Sequence, residues 1–333
     1  MINVDLSLKY SGKNILITGG LGFLGSNLAH ALVRLGAKVT IVNSFHSVHD
    51  NIFFNLKGIK AKIKVVLGDI RDRKLMEKLV KNKSVIFNLA GGSKPSDSNI
   101  SPFHDLDVNC RGHLTLLEAC RENNPNIQIV FSSSRMVYGK TVENPVTDNH
   151  PTNPLSLYGI HKITAEKYHL MYGKHYGLKT IILRITNPYG PRQQIKSGKY
   201  GLPGWFMKLA MDNKPIELFG DGKQLRDYIY VNDVIEVFLR VASNPNTDGD
   251  VFNCGSGVSY ELKEMAEAVI EIVGQGKINY ISWPENYRQI ESGDFKVDIS
   301  KLSNAIEWQP LFSLNQGLKI MFEYYKRHKN KYL

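Results

Sequence analysis

The chain has three cysteines in 333 residues, no long apolar run, no low-complexity tract and no internal repeat. Each scarcity excludes a class. A membrane span needs roughly 18 or more consecutive apolar residues, and no segment approaches that, so no membrane partner is expected. The opening "MINVDLSLKYSGKN" has no apolar stretch between a basic start and a cleavage site, so it does not read as a secretory leader and a cytoplasmic location is expected. Cys110 and Cys120 fall on one expected helix, "LDVNCRGHLTLLEACREN". Ten residues at about 1.5 Å each put them roughly 15 Å apart, far beyond disulfide reach. Cys254 has no C-x-x-C partner and no histidine at ligand spacing, so no metal site is expected.

Acidic residues are the scarcer sign, 31 against 42 basic, for a net charge of +11. The lysines are scattered and concentrate only in the terminal "YKRHKNKYL". That is the pattern of a solvated helix end, not of a nucleic-acid stripe, and a basic surface also attracts small polyanionic substrates.

The first half alternates short β-branched runs with amphipathic helical patterns: "NILITG", "GFLGSNLAHALVRLG", "AKVTIVN", "IKVVLGD", "RKLMEKLV" and "SVIFNLA", followed by a helix from Cys110 to Arg121. Two further units are "IQIVFSS", with a helix near Ser156 to Tyr176, and "LKTIILRIT". The alternation predicts an α/β fold with a doubly wound parallel sheet over residues 1–186. After "NPYGPRQ", Gly and Pro punctuation, short strands ("PIELF", "DYIYV") and helices near Val234–Ala242, Glu261–Val273 and Leu314–Tyr325 predict a smaller domain over residues 187–333. The two interleave, because "DVFNCGSG" reads as a buried strand near residues 250–254 that returns to the first.

Glycines in "ITGGLGFLGSN" follow an expected strand and open an expected helix, the context of a Rossmann dinucleotide site. Gly19, Gly22 and Gly25 allow a tight turn, close approach of a pyrophosphate and helix-to-sheet packing. The helix start, with Phe23 and Leu24, offers unpaired N–H groups to phosphate. Asn43 ends the second strand eighteen residues beyond Gly25, where an acid usually takes the ribose hydroxyls. Asparagine does not repel a 2′-phosphate, yet no arginine follows it, only His46 and His49, so NAD is expected over NADP. Asp69 and Ile70 close the third strand near where adenine would lie, with a helix cap as the competing role for Asp69 and the better one for Asp72. Leu89 and Ala90 end the fourth.

"YGIHK" sets Tyr158 and Lys162 four apart, on one helix face. A phenol is a poor base at neutral pH, and an ammonium in reach favours the phenolate. Tyr325 and Lys329 repeat this spacing, and there the expectation is an exposed terminal helix. Ser134 in "SSSRMVYG", 24 residues before Tyr158 at a strand's carboxyl end, can pass a proton between a substrate oxygen and the phenolate. For Ser132 and Ser133 the competing role is turn capping.

"TGGLGFLGSN", "SSSRMVYG", "YGIHK", "LRITNPYGPRQ" and "FGDGKQLRDYIYVNDV", in order from about Lys13 to Leu318, resemble the extended short-chain dehydrogenase/reductases. Within these, the chain is most similar to the nucleotide-sugar epimerase/dehydratases and their UDP-glucose 4-epimerase branch. The resemblance implies bound NAD, catalysis by Ser134, Tyr158 and Lys162, a nucleoside-diphosphate sugar as substrate with UDP favoured, and a homodimer. It also implies that Asn187 and Arg226 contact the diphosphate and that the strand holding Glu217 and Phe219 lines the base. For Arg226 the competing role is an ion pair with Asp227 or Asp233, and Arg192 is as easily structural.

Two departures stand out: "NLAGGSKPSDSN" is not the usual alanine-rich cofactor loop, and Glu291 in "RQIESGD" replaces a frequent second phosphate-binding arginine, for which Arg288 is the candidate substitute. Dehydratases and decarboxylating members resemble "S-T-D-E-V-Y-G" or "T-S-E-V-Y-G", whose acids serve elimination or positioning. Arg135 and Met136 supply none. The expected reaction is therefore epimerisation at C4 through a transient ketone. The alternatives are a C4 dehydrogenase or 4-ketoreductase, less favoured a 4,6-dehydratase, and outside enzymes a dinucleotide-sensing module.

Overall fold

The computed structural model describes residues 4–44, 52–92, 95–285 and 291–332. The helix Val4–Tyr10 (α1) leads into β1, Asn14–Thr18, the glycine turn and α2, Phe23–Arg34. Then come β2 (Lys38–Asn43), β3 (Lys64–Leu67), α3 (Arg73–Val80) and β4 (Val85–Asn88). The helices α4 (Pro95–Ile100), α5 (Pro102–Leu106) and α6 (Gly112–Asn123) precede β5 (Gln128–Ser134), α7 (Leu157–Tyr176) and β6 (Lys179–Ile185). Beyond these lie β7 (Asn187–Tyr189), α8 (Leu202–Met211), β8 (Pro215–Phe219), β9 (Leu225–Tyr230), α9 (Val231–Val241), β10 (Val251–Cys254), β11 (Ser259–Glu261), α10 (Leu262–Val273) and β12 (Lys277–Ile281). Two more helices, Ser300–Ile306 and Leu314–Tyr332, close the chain.

Seven parallel strands form the main sheet in the order β10-β6-β5-β4-β1-β2-β3. Burial on both faces explains why β1 and β4 read as apolar runs without alternation. The strand order reverses between β1 and β4, which opens a crevice at their carboxyl ends where such sheets take ligands. The later strand β10 sits at the sheet edge beside β6, 66 residues after β6 ends, with Val251 opposite Ile182. Two smaller sheets, β11-β9-β7 and β12-β8, lie in the second half.

Several local expectations change. The strand expected at "IQIVFSS" runs on through all three serines, so Ser134 is its last residue. The helix expected from Cys110 begins instead with a π-turn, Asp107–Arg111, before α6. The terminal helix continues past Tyr325 to Tyr332, with a non-helical residue at His328. Tyr325, expected on an exposed helix, is fully buried, because its ring packs against Tyr324 and Tyr332 and its hydroxyl donates to Gly190 O and Gln193 O. Among the described residues no helix is long and apolar enough to cross a membrane. The three cysteines are buried free thiols.

Candidate active site

The crevice floor is a backbone cradle. Gly19 takes φ +70°, and a Cβ there would come within 2.8 Å of Leu89 O on the neighbouring strand end. A Cβ on Gly25 would come within 2.3 Å of Gly19 O. Side chains are excluded at both points by backbone, which a neighbour cannot move aside cheaply. Gly22 caps the twelve-residue α2 in extended conformation, with no side chain on its free N–H groups and no acid in the first turn. The Asn43 carboxamide, buried, accepts from Leu21 N at 3.2 Å and so tightens this turn from β2. Thr18 Oγ1 donates to Asn88 Oδ1 at 2.8 Å and accepts from Ala90 N at 3.0 Å, which locks the two strand ends flanking the crevice.

Asp69 accepts from Arg71 N and pairs with the Arg71 guanidinium at 2.8 Å, while Asp72 caps α3 by accepting from Leu75 N. Ile70 is buried, and a Cβ on Gly112 would strike its Cγ2 at 2.6 Å. His46, His49 and Arg288 lie outside the described residues.

At the carboxyl end of β5 the Ser134 side chain comes near enough to the Tyr158 phenol to favour its ionised form. Ser134 Oγ also accepts from Met136 N at 3.2 Å, capping a short 3₁₀ turn. Ser156 starts α7 by accepting from Gly159 N, which fixes the first-turn position of Tyr158. Burial pushes the Tyr158 phenol up to about 12, against the lowering effect of Ser134. Lys162 does not reach the phenol oxygen. Its Nζ donates to Ser132 O at 2.9 Å and lies 5.8 Å from the centre of the Tyr158 ring. Burial lowers this ammonium to about 8, while Asp105 and Glu166 partly hold it up.

Further polar residues surround Lys162. His161 pairs with Asp105 at 2.6 Å, and Asn109, on the π-turn, donates to the same carboxylate at 2.9 Å. The Asn109 Oδ1 acceptor is buried and has no partner, and a Cβ on Gly91 would come within 2.6 Å of it and 3.3 Å of Lys162 Nζ. Glu166, one turn after Lys162, accepts from Ser133 Oγ and pairs with Arg184 at 2.8 Å. Sequence reading missed these groups. Arg184 alone left a signal, since a charge inside the buried run "TIILRIT" requires a buried partner.

On the other side of Ser134, Arg135 Nε donates to Asn187 Oδ1 at 3.3 Å and Nη1 to Ser292 Oγ at 3.1 Å. Arg226 pairs with neither Asp227 nor Asp233. Its guanidinium meets Glu291 at 2.5 Å and Gly293 O at 2.9 Å. Asp227 accepts instead from Ser256 N, Gly257 N and Thr186 Oγ1, and Asp233 accepts from Leu311 N and Phe312 N. Glu217 is exposed on β8, and Phe219 of the same strand leans on Trp283 with ring centres 5.3 Å apart. Arg192 donates to Asn27 Oδ1 on α2 at 2.8 Å. Among the described residues no group of three or more His, Cys, Asp or Glu stands where it could share a metal ion.

Residues 15–255 match the model of the NAD dependent epimerase/dehydratase family. The chain belongs to that family. Within it, the chain is 31% identical over 315 residues to the UDP-glucose 4-epimerase of Mycolicibacterium smegmatis, covering 93% of this chain and 98% of the relative. It is also 30% identical over 338 residues to the CDP-paratose 2-epimerase of Salmonella typhi, covering 93% and 98%. The crystal structure of UDP-glucose 4-epimerase from Thermotoga maritima with UDP-glucose is similar at TM-score 0.87 and 30% identity, over 95% of this chain and 99% of that one. Family membership makes this an NAD-dependent enzyme with the Rossmann-like sheet described above. The glycine cradle, the uncapped start of α2 and the orphan Asn109 acceptor fit such a dinucleotide.

Proposed function

We propose that the chain epimerises a nucleoside-diphosphate sugar, most simply a UDP-sugar, at C4. The carrying observation is the approach of Ser134 to the Tyr158 phenol at the carboxyl end of β5, beside the crevice between β1 and β4. NAD held by the glycine turn, Asn43, Leu89, Ala90 and Lys162 would take a hydride from the sugar and return it. The chain's own groups handle the proton. Ser134 relays it between the sugar oxygen and Tyr158, a transfer worth about 10²–10⁴ in rate. At about 12 Tyr158 is an acid, and it becomes a base only when positive charge comes beside it. The chain's own source of that charge is Lys162, one helical turn away on α7.

Elimination would require an unengaged acid, and the carboxylates nearest these groups are all committed. Asp105 is paired with His161, Glu166 with Arg184, and Glu291 with Arg226, while Asp227 is saturated by N–H and O–H donors. This supports return of the hydride over loss of a C6 hydroxyl. A homodimer in the cytosol completes the reading. Ile100 and Phe103 are 74% and 81% exposed on α4 and α5, Leu106 and Ile160 are exposed too, and both short helices pack on α7, so apolar side chains are left for a partner in this part of the surface.

The test is incubation of purified protein with UDP-, CDP-, GDP- and dTDP-sugars in deuterated buffer, followed by NMR. Interconversion of C4 epimers without added cofactor and without deuterium at C5 is expected. A 4-keto-6-deoxy product with deuterium at C5 would replace this reading with a dehydratase, and inversion at C2 would replace it with a 2-epimerase. Stoichiometric NADH with a persistent 4-keto sugar would select the dehydrogenase.

A further inference from the structure

Arg135 follows the proposed catalytic serine, is half-buried, and among the described residues has no carboxylate of its own. Its hydrogen bonds are to the neutral Asn187 and Ser292, and its guanidinium stacks over Phe295 at 5.0 Å. Burial and then the neighbouring Arg226 push it down to about 10. Leaving a guanidinium desolvated without a counter-ion is costly. The nearest available carboxylate, Glu291, is spent on Arg226. Tyr228 adds a second unmet demand: it is 3% exposed, it feels both arginines, and its hydroxyl has no partner among the described residues. Tyr228 stands opposite Asn187 in the β7–β9 register, and Arg226 is two residues along β9, so all three side chains share one face. Two cations and one orphan hydroxyl converge where, among the described residues, no protein anion is left to receive them.

We infer that Arg135 is the second cation of the substrate's diphosphate site, in exchange for the arginine that Glu291 displaces. This rests on the nucleotide-sugar reading above. The charges of the described residues support it: Arg226 with Glu291 is neutral, whereas a diphosphate carries two negative charges. Adding Arg135 restores one net positive charge to the pocket. The Asn187 amide is engaged on both sides, its Oδ1 by Arg135 and its Nδ2 on Asp227 O at 2.7 Å, so Arg135 presents the donors that Asn187 does not. The Tyr228 hydroxyl supplies one further donor to the same phosphoryl oxygens.

The test is calorimetric binding of UDP, CDP, GDP and dTDP to the NAD-loaded protein, taking the tightest as probe. Arg135→Gln should weaken that probe about 10- to 100-fold, the loss of a charge-assisted contact, with its melting temperature retained. Adding Glu291→Arg to Arg135→Gln should recover most of the affinity, because the cation returns from the opposite side. Tyr228→Phe should leave the free protein no less stable and weaken the probe a few-fold. Unchanged affinity in Arg135→Gln would overturn the assignment. A loss confined to UDP-glucuronate, with UDP unchanged, would also overturn it and make Arg135 a receiver of a sugar carboxylate. A loss that Glu291→Arg does not recover would reduce Arg135 to a packing role. If the unaltered protein binds none of the four nucleotides, the nucleotide-sugar reading itself fails, which is a separate outcome.

Discussion

Tyr158 with Lys162 and Tyr325 with Lys329 are the same sequence pattern, and the structure puts them to opposite uses. Tyr158 comes near another hydroxyl, Ser134, whose own acceptor role toward Met136 N leaves its proton free to move. Tyr325 gives its proton to two backbone carbonyls, Gly190 and Gln193, and is finished as a chemical group. Lys162 is buried on Ser132 O, whereas Lys329 is half exposed on Asp212 at 3.1 Å. The spacing makes a pair of neighbours on a helix. What sets the two pairs apart is the sheet end that α7 lies against, where Ser134 and Ser132 O stand near Tyr158 and Lys162.

The comparison breaks first on activity. Tyr158→Phe should cut turnover by about 10²–10⁴ while cofactor content and melting temperature hold, measured by product NMR and by NAD released on denaturation. Near-normal turnover would remove Tyr158 from the chemistry. Ser134→Ala should lose about 10² or more in turnover with little change in stability. Its neighbour Ser133→Ala should do the reverse, because Ser133 serves the buried Glu166–Arg184 pair, and should cost about 1–3 kcal/mol in a urea unfolding experiment. If the two serines respond alike, their division of labour is wrong.

Tyr325→Phe is not a silent control. It should keep activity and lose about 1 kcal/mol of stability, the usual net worth of a buried hydroxyl's hydrogen bond. Full stability would mean that the two carbonyls find other donors.

The smallest effect is in the pH dependence of the lysines. The Lys162 ammonium is lowered to about 8 in the folded chain, below the ~10.4 of an unfolded lysine. Between those values the unfolded state holds more protons, so Lys162 makes folding more favourable as pH rises through that window. The stability of the unaltered protein relative to Lys162→Met should therefore climb from pH 8 to about 10, read by thermal melts. Lys329→Met should show no such slope, and its stability should change by less than about 0.5 kcal/mol, as expected for an exposed pair.

Several elements of this outcome were legible before any coordinates. Apolar runs such as "NILIT" and "SVIFN" announce strands buried on both faces, and glycines at 19, 22 and 25 announce a backbone too crowded for side chains. Such signals are local, because strand burial and turn geometry act within a few residues of the chain. The pairing of Arg226 with Glu291, 65 positions away, left no mark in the sequence. Nor did the partnering of Asp105 with His161, because both residues are ordinary surface types that become buried only when α5 packs on α7.

The amino-acid order by itself determined the doubly wound sheet, the dinucleotide turn and the positions of Ser134, Tyr158 and Lys162 along the chain. Tertiary structure alone decided which of two Tyr–Lys pairs ends near a serine, and where each charge finds its counter-ion. The physical reason is distance: hydrophobic period and glycine conformation are encoded by near neighbours. A proton relay and a charge balance depend on groups within a few ångströms in space, whichever part of the chain supplies them.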